Sequence, residues 1–152
     1  VIKAAVRNSS KLYPARYYNF LKALFMQEYK GEDFMEEDSS SVLLEGSGDK
    51  CISTTILQHG AAAIFYPGVC RKICEVLGAE RLYLVFTSVH EVMVSAVRAD
   101  VSVEEMQRRL YNGSRTVKEP EDKLTEQVYC YDGKSNCIRL AKGEGNVFQC
   151  DE

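Results

Sequence analysis

The feature that most limits what this chain can become is Leu82-Tyr83-Leu84-Val85-Phe86, a continuous apolar run the length of one strand. An unbroken run of this kind suits a strand covered on both faces. Thr87-Ser88 interrupts it and residues 92–97 resume it. Together they predict an antiparallel pair around a short turn, although the turn carries none of the usual Gly or Asn signals. A length of 152 residues is enough for one domain with a genuine core and short for two.

Other elements follow from periodicity and punctuation. Residues 1–30 read as a helical segment. Val1, Ile2, Ala5 and Val6 fit the end of one helix, Asn8-Ser9-Ser10 breaks it, and Pro14 limits a restart. Phe20, Leu21, Leu24, Phe25 and Tyr29 then recur at helical spacing, predicting a helix that ends near Gly31. Residues 31–49 are expected to be a flexible loop, with an acidic run (Glu32, Asp33, Glu36, Glu37, Asp38), Ser39-Ser40-Ser41 and Gly46-Ser47-Gly48-Asp49. Val42-Leu43-Leu44 inside it fits a short strand or a turn of helix.

The core is expected over residues 50–142. Residues 52–57 are rich in β-branched side chains and read as a strand stopped by Gly60. Residues 61–66 are ambiguous and are read as a strand. Pro67-Gly68 opens a helix that buries Val69, Ile73, Val76 and Leu77 and stops at Gly78. Ser102 and Glu105 form a capping box ahead of a helix that turns Val103, Met106 and Leu110 inward and ends at Asn112-Gly113. Residues 120–124 fit one helical turn. Residues 127–131 and 136–140 read as a hairpin looped by Asp132-Gly133-Lys134-Ser135, and residues 143–152 as a frayed tail. Strands and helices without regular βαβ alternation predict an α+β fold: one domain, with an antiparallel-rich mixed sheet and a few helices packed on it.

Charge and composition narrow the function classes. The net charge of −3 leaves no basic excess to neutralise a phosphate backbone, so no nucleic-acid partner is expected. Arg108, Arg109, Arg115 and Lys118 are interleaved with Glu104, Glu105, Glu119, Glu121 and Asp122, the pattern of a solvated mixed face. No stretch approaches the roughly 20 apolar residues of a membrane helix, so no membrane partner is expected. Six cysteines without a secretory leader read as reduced, and the expected compartment is the cytoplasm. The start at Val1 rather than Met fits the loss of an upstream leader or domain.

Ser88, His90 and Glu91 form the most site-like group. A histidine can act as general base and a carboxylate can orient it. Neighbours on a strand, however, point to opposite faces: His90 is in phase with Val92 and Val94, Glu91 with Met93 and Ser95. The competing reading is that these residues hydrogen-bond the turn backbone and fix the hairpin. His59, the other histidine, sits beside Gly60 in an expected exposed turn.

Cys70 and Cys74 are four apart on one helix face, and Cys130 and Cys137 are expected to face each other across the hairpin. The four would suit a structural zinc, yet the close C-x-x-C knuckles of such sites are absent, and packing beside Ile73 explains the first pair equally. A disulfide between Cys130 and Cys137 is disfavoured in a reducing compartment. A lone nucleophilic cysteine would need a base beside it, and nothing in the sequence places a histidine near one. There is no glycine-rich phosphate loop, and no cofactor is expected. Tyr129 and Tyr131 share a strand face, and Tyr13, Tyr17 and Tyr18 cluster near the start, as packing or as an interface.

Several segments carry a family resemblance: Gly60-Ala61-Ala62 through Tyr66-Pro67-Gly68-Val69, then Leu82-Tyr83, Ser88-Val89-His90-Glu91-Val92 and Leu124-Thr125-Glu126-Gln127-Val128-Tyr129-Cys130-Tyr131-Asp132. Over residues 51–133, and more weakly from Ala4 to Leu24, the chain resembles an uncharacterised family of anaerobic gut bacteria. The resemblance implies a fold unit and no reaction. It also implies further sequence ahead of the part seen here. The family's apolar-Pro-Ser-Ser step before the His-Glu pair stands here as Phe86-Thr87-Ser88, without proline.

No constellation has catalytic groups at credible spacing. The expected function is therefore a non-enzymatic interaction or accessory module within a larger bacterial protein, with another protein as its partner. The alternatives are a hydrolase-like enzyme using His90 with Ser88, Glu91 or a cysteine, and a cysteine-zinc structural domain.

Overall fold

The computed structural model describes residues 2–46, 49–115 and 119–151. Val1, Ser47, Gly48, Lys118 and Glu152, which entered the sequence expectations above, lie outside the described residues. The elements are α1 (Ile2–Leu12), β1 (Ala15–Tyr18), α2 (Phe20–Phe25), β2 (Lys50–Thr54), α3 (Val69–Leu77), β3 (Arg81–Ser88), β4 (Glu91–Ala96), α4 (Val103–Ser114), β5 (Tyr129–Asp132), β6 (Cys137–Leu140) and β7 (Phe148–Gln149). Short 3₁₀ turns cover Ser40–Leu44, Gly60–Phe65 and Pro120–Asp122.

One seven-stranded sheet organises the chain in the order β1-β2-β4-β3-β5-β6-β7. Every ladder between these strands is antiparallel, and the fold is α+β. β3, the apolar run, lies near the middle, paired with β4 on one side and β5 on the other. It is covered on both faces as its sequence requires. Leu82, Leu84 and Phe86 join a large core with Ile52, Val92, Val94, Tyr131 and Ile73. Tyr83 and Val85 join a smaller one with Met106 and Leu110 of α4. Burying Met106 and Leu110 contributes about 1.5–3 kcal/mol each. Ser102 Oγ accepts the Glu105 amide at 3.2 Å and fixes the start of α4. The helix runs past Asn112-Gly113 to Ser114.

Four local expectations are corrected. Residues 61–66 are not a strand: Gly60–Phe65 is a 3₁₀ turn packed against the sheet. Ala61, Ala62 and Ala63 offer little cross-strand contact, and their small side chains let the backbone lie close to β2. Gly60 is pressed hardest, since a Cβ there would sit 1.9 Å from Ser53 Oγ and 2.8 Å from the His90 carbonyl oxygen. In the N-terminal segment, Asn8-Ser9-Ser10 does not break α1, because Ser10 turns its hydroxyl back onto the Arg7 carbonyl at 2.7 Å. That segment also contains a strand, β1, whose tyrosines pair with Cys51 and Ile52. Asn19 caps α2, which ends at Phe25, with Met26 its C-cap, rather than near Gly31.

The remaining differences lie in the segments read as loop and tail. Within residues 31–46, Phe34 and Leu43 are fully buried, Glu32 bridges Tyr17 of β1, and Val42-Leu43-Leu44 takes its helical alternative. In the tail, Phe148 pairs with Ile138 and sets its ring edge-on to Phe65, with centroids 4.9 Å apart.

Candidate functional site at the His90-Glu91 turn

The β3–β4 turn is held by bonds to three distant segments. Ser88 Oγ accepts the His90 amide at 3.0 Å, so the buried serine closes the turn on itself. The Val89 amide donates to the Asp122 carbonyl at 2.8 Å, and the Val89 carbonyl accepts the Ala61 amide at 3.1 Å. Ser53 Oγ donates to the His90 carbonyl at 2.6 Å.

The His90 ring is engaged at both nitrogens. Nδ1 lies 3.1 Å from the His59 backbone amide, which donates to it. Nε2 lies 3.1 Å from Asp122 Oδ2 in the Pro120–Asp122 turn. An accepting Nδ1 carries no proton, so the proton sits on Nε2 and points at the carboxylate. A histidine base normally gives one nitrogen to an orienting group and keeps the other for substrate. Here that second nitrogen is closed by backbone. His59 adopts a left-handed conformation, φ 55°, to present its amide, while its exposed ring tilts against His90 with centroids 5.6 Å apart.

Glu91 has a different set of neighbours. Thr87 Oγ1 donates to its Oε1 at 3.3 Å, and the Cys51 thiol lies 3.5 Å from Oε2. Both donors are neutral, and among the described residues no Lys or Arg forms an ion pair with Glu91. Glu91 lines a cavity of 630 Å³ between α2 and the β1-β2-β4 end of the sheet. Burial, and then the Glu91 carboxylate, push the Cys51 thiol well above its ordinary range. Cys51 is therefore a thiol rather than a reactive thiolate at neutral pH.

The other cysteines belong to the core and the sheet, and Cys70 lies beside Cys150. Cys70 Sγ donates to the Ile64 carbonyl at 3.4 Å within the large core, and Cys74 is buried beside Ile73. Cys130 pairs with Arg139 and Cys137 with Asp132, so the two do not sit opposite each other as expected: the hairpin register is set by the four-residue loop. Cys137 Sγ bonds to the Ser135 carbonyl and Gln149 Oε1. Among the described residues, no three His, Cys, Asp or Glu side chains converge so as to hold a metal.

The sequence missed three participants. His59 and Asp122 stand 31 and 32 positions from His90, and no local pattern links them. The third is α2. Its apolar stripe reads as a buried face, yet Phe20 is 74% and Phe25 83% exposed, with Leu21, Leu24 and Met26 also exposed. Nothing in the spacing gave this away: positions 20, 21, 24 and 25 fall within about 140° of the helix circumference, the width of an ordinary core-facing stripe.

Among the described residues, no helix is long and apolar enough to cross a membrane. No curated protein and no solved structure matches this chain. A family model does match, over residues 1–133, which takes in α1 through β5 and the whole His90-Glu91 turn; the chain belongs to DUF5688, a family of unknown function.

Proposed function

We propose that this domain is a non-catalytic interaction module of a larger cytoplasmic bacterial protein, and that α2 is the element it offers to its partner. The observation that carries this reading is the exposure of Phe20, Leu21, Leu24, Phe25 and Met26 within seven consecutive residues. Soluble domains rarely leave such a dense apolar patch uncovered without a partner, and Phe and Met are enriched where partners meet. The helix is presented rather than loose. Asn19 caps it, and Lys22 is tied to Glu32, which itself bridges β1. A short apolar helix held this way fits an apolar groove on another protein. His90 supports the same reading from the other side. Its ring spends both nitrogens on the fold, so catalysis there would first require breaking the bond from the His59 amide.

The test is site-specific photocrosslinking in the cell of origin. A benzoylphenylalanine at Phe25 or Leu21 should yield the same discrete protein adduct, and one at the exposed Lys134 should not. Phe25→Ser should abolish the adduct formed from Leu21 while changing the melting temperature by less than about 2 °C. Identical adduct patterns from Phe25 and Lys134 would overturn the assignment.

A further inference from the structure

We propose that the cavity beneath α2 is a binding site for a small organic cation with an apolar body, its ammonium placed against Glu91. The size fits: 630 Å³ lies within the range of roughly 300–1,000 Å³ that small-molecule pockets occupy. Tyr18, Phe20, Leu21, Leu57 and Met93 supply apolar walls, and Glu91 and Cys51 the polar end. The ligand's charge follows from what the lining groups already hold. Of the four charged residues at the cavity, Asp49 is ion-paired with Arg109, Glu45 is exposed to solvent, and the buried Lys50 donates its ammonium to the Glu45 backbone carbonyl at 2.8 Å. Glu91 keeps only the Thr87 hydroxyl and the Cys51 thiol, two neutral donors.

A half-buried carboxylate at the end of an apolar cavity is short of a cation, and a charge-assisted bond to one is worth about twice a neutral bond. Glu91 Oε2 lies 3.5 Å from the Cys51 thiol, and both residues line the cavity. The aromatic rings of Tyr18 and Phe20 add faces that attract an ammonium. Around the cavity three carboxylates, Glu45, Asp49 and Glu91, outnumber the ammonium of Lys50 and the Arg109 paired with Asp49, a balance that favours a cation over an anion. This site does not require α2 to dock a protein, although Phe20 and Leu21 line both surfaces.

Three probes of matched shape decide it by titration calorimetry on the whole chain: phenethylamine, phenethyl alcohol and 3-phenylpropionate. The amine should bind with a dissociation constant below about 1 mM, the alcohol about tenfold more weakly, and the carboxylate not at all. Glu91→Gln should bring the amine down to the alcohol's affinity and leave the alcohol unchanged. Leu21→Arg, on the exposed rim, is the second arm; it should weaken the amine without touching the fold. Equal binding of the three probes, an amine preference that survives both substitutions, or no amine binding at about 1 mM would each overturn the proposal. Crosslinking from Phe25 is read separately, so either assignment can fail alone.

Discussion

His90 and Glu91 are consecutive, yet they belong to different parts of the molecule's chemistry. Every polar atom of the His90 ring is spent on the protein, on the His59 amide and the Asp122 carboxylate. Glu91 has two weak neutral partners and an open cavity in front of it. Their places in the chain separate them: His90 closes the turn that joins β3 to β4, and Glu91 is the first residue of β4. The His-Glu pair is thus a structural clasp beside a carboxylate held only by neutral donors. A saturated hydrogen-bonding group holds architecture, and an unsaturated one beside empty volume is where a ligand can gain.

The contrast can be broken most severely at Gly60. Gly60→Ala would drive a Cβ into Ser53 Oγ, the His90 carbonyl and the Thr54 amide nitrogen, two of the three being backbone. Urea denaturation should show a loss of about 3 kcal/mol or more; a loss below about 1 kcal/mol would mean that the clasp is not tightly packed. His90→Ala should cost about 1–2 kcal/mol, because it removes the bonds that tie the turn to the His59 amide and the Asp122 carboxylate. Glu91→Gln, by contrast, should change stability by less than about 0.5 kcal/mol. Equal losses from the two would erase the distinction drawn between them.

The smallest effect sharpens the cavity side. A thiol pushed upward has less thiolate at any given pH, so native Cys51 should alkylate with iodoacetamide at pH 8 at least about tenfold more slowly than after unfolding, read by peptide mass mapping. Glu91→Gln removes one of the causes and should raise that rate. A native Cys51 as fast as the unfolded one would contradict the burial and the nearby carboxylate together.

Much of the architecture was legible where one residue pattern decides one element. The apolar run of β3, the capping serine of α4 and the loop between β5 and β6 each act locally, and each predicted its element. β1 was hidden because Arg16-Tyr17-Tyr18 forms a strand only through pairing with β2, 33 to 37 positions away. The Gly60–Phe65 turn was misread because its small residues report a tight space under the sheet, not a propensity. β7 depends on Ile138 and on the Phe65 ring for its place. At the site, strand phase argued against a His90-Glu91 dyad, although His90 sits in the turn and not on the strand. The partners of His90 were not legible, since topology alone brings the 59–60 turn and the Pro120–Asp122 turn to one end of the sheet. α2 shows a different failure: helical spacing reports amphipathicity, and the partner of its apolar side need not lie in the same chain.

The claim that His90 serves the fold is tested most directly by long-range ¹⁵N–¹H correlation of its imidazole in the intact chain. The account predicts a single tautomer, with the proton on Nε2 and Nδ1 carrying the shift of an unprotonated acceptor. A ring that averages between both tautomers, as a freely solvated imidazole does, would show that neither the His59 amide nor Asp122 holds it, and the clasp would have to be abandoned.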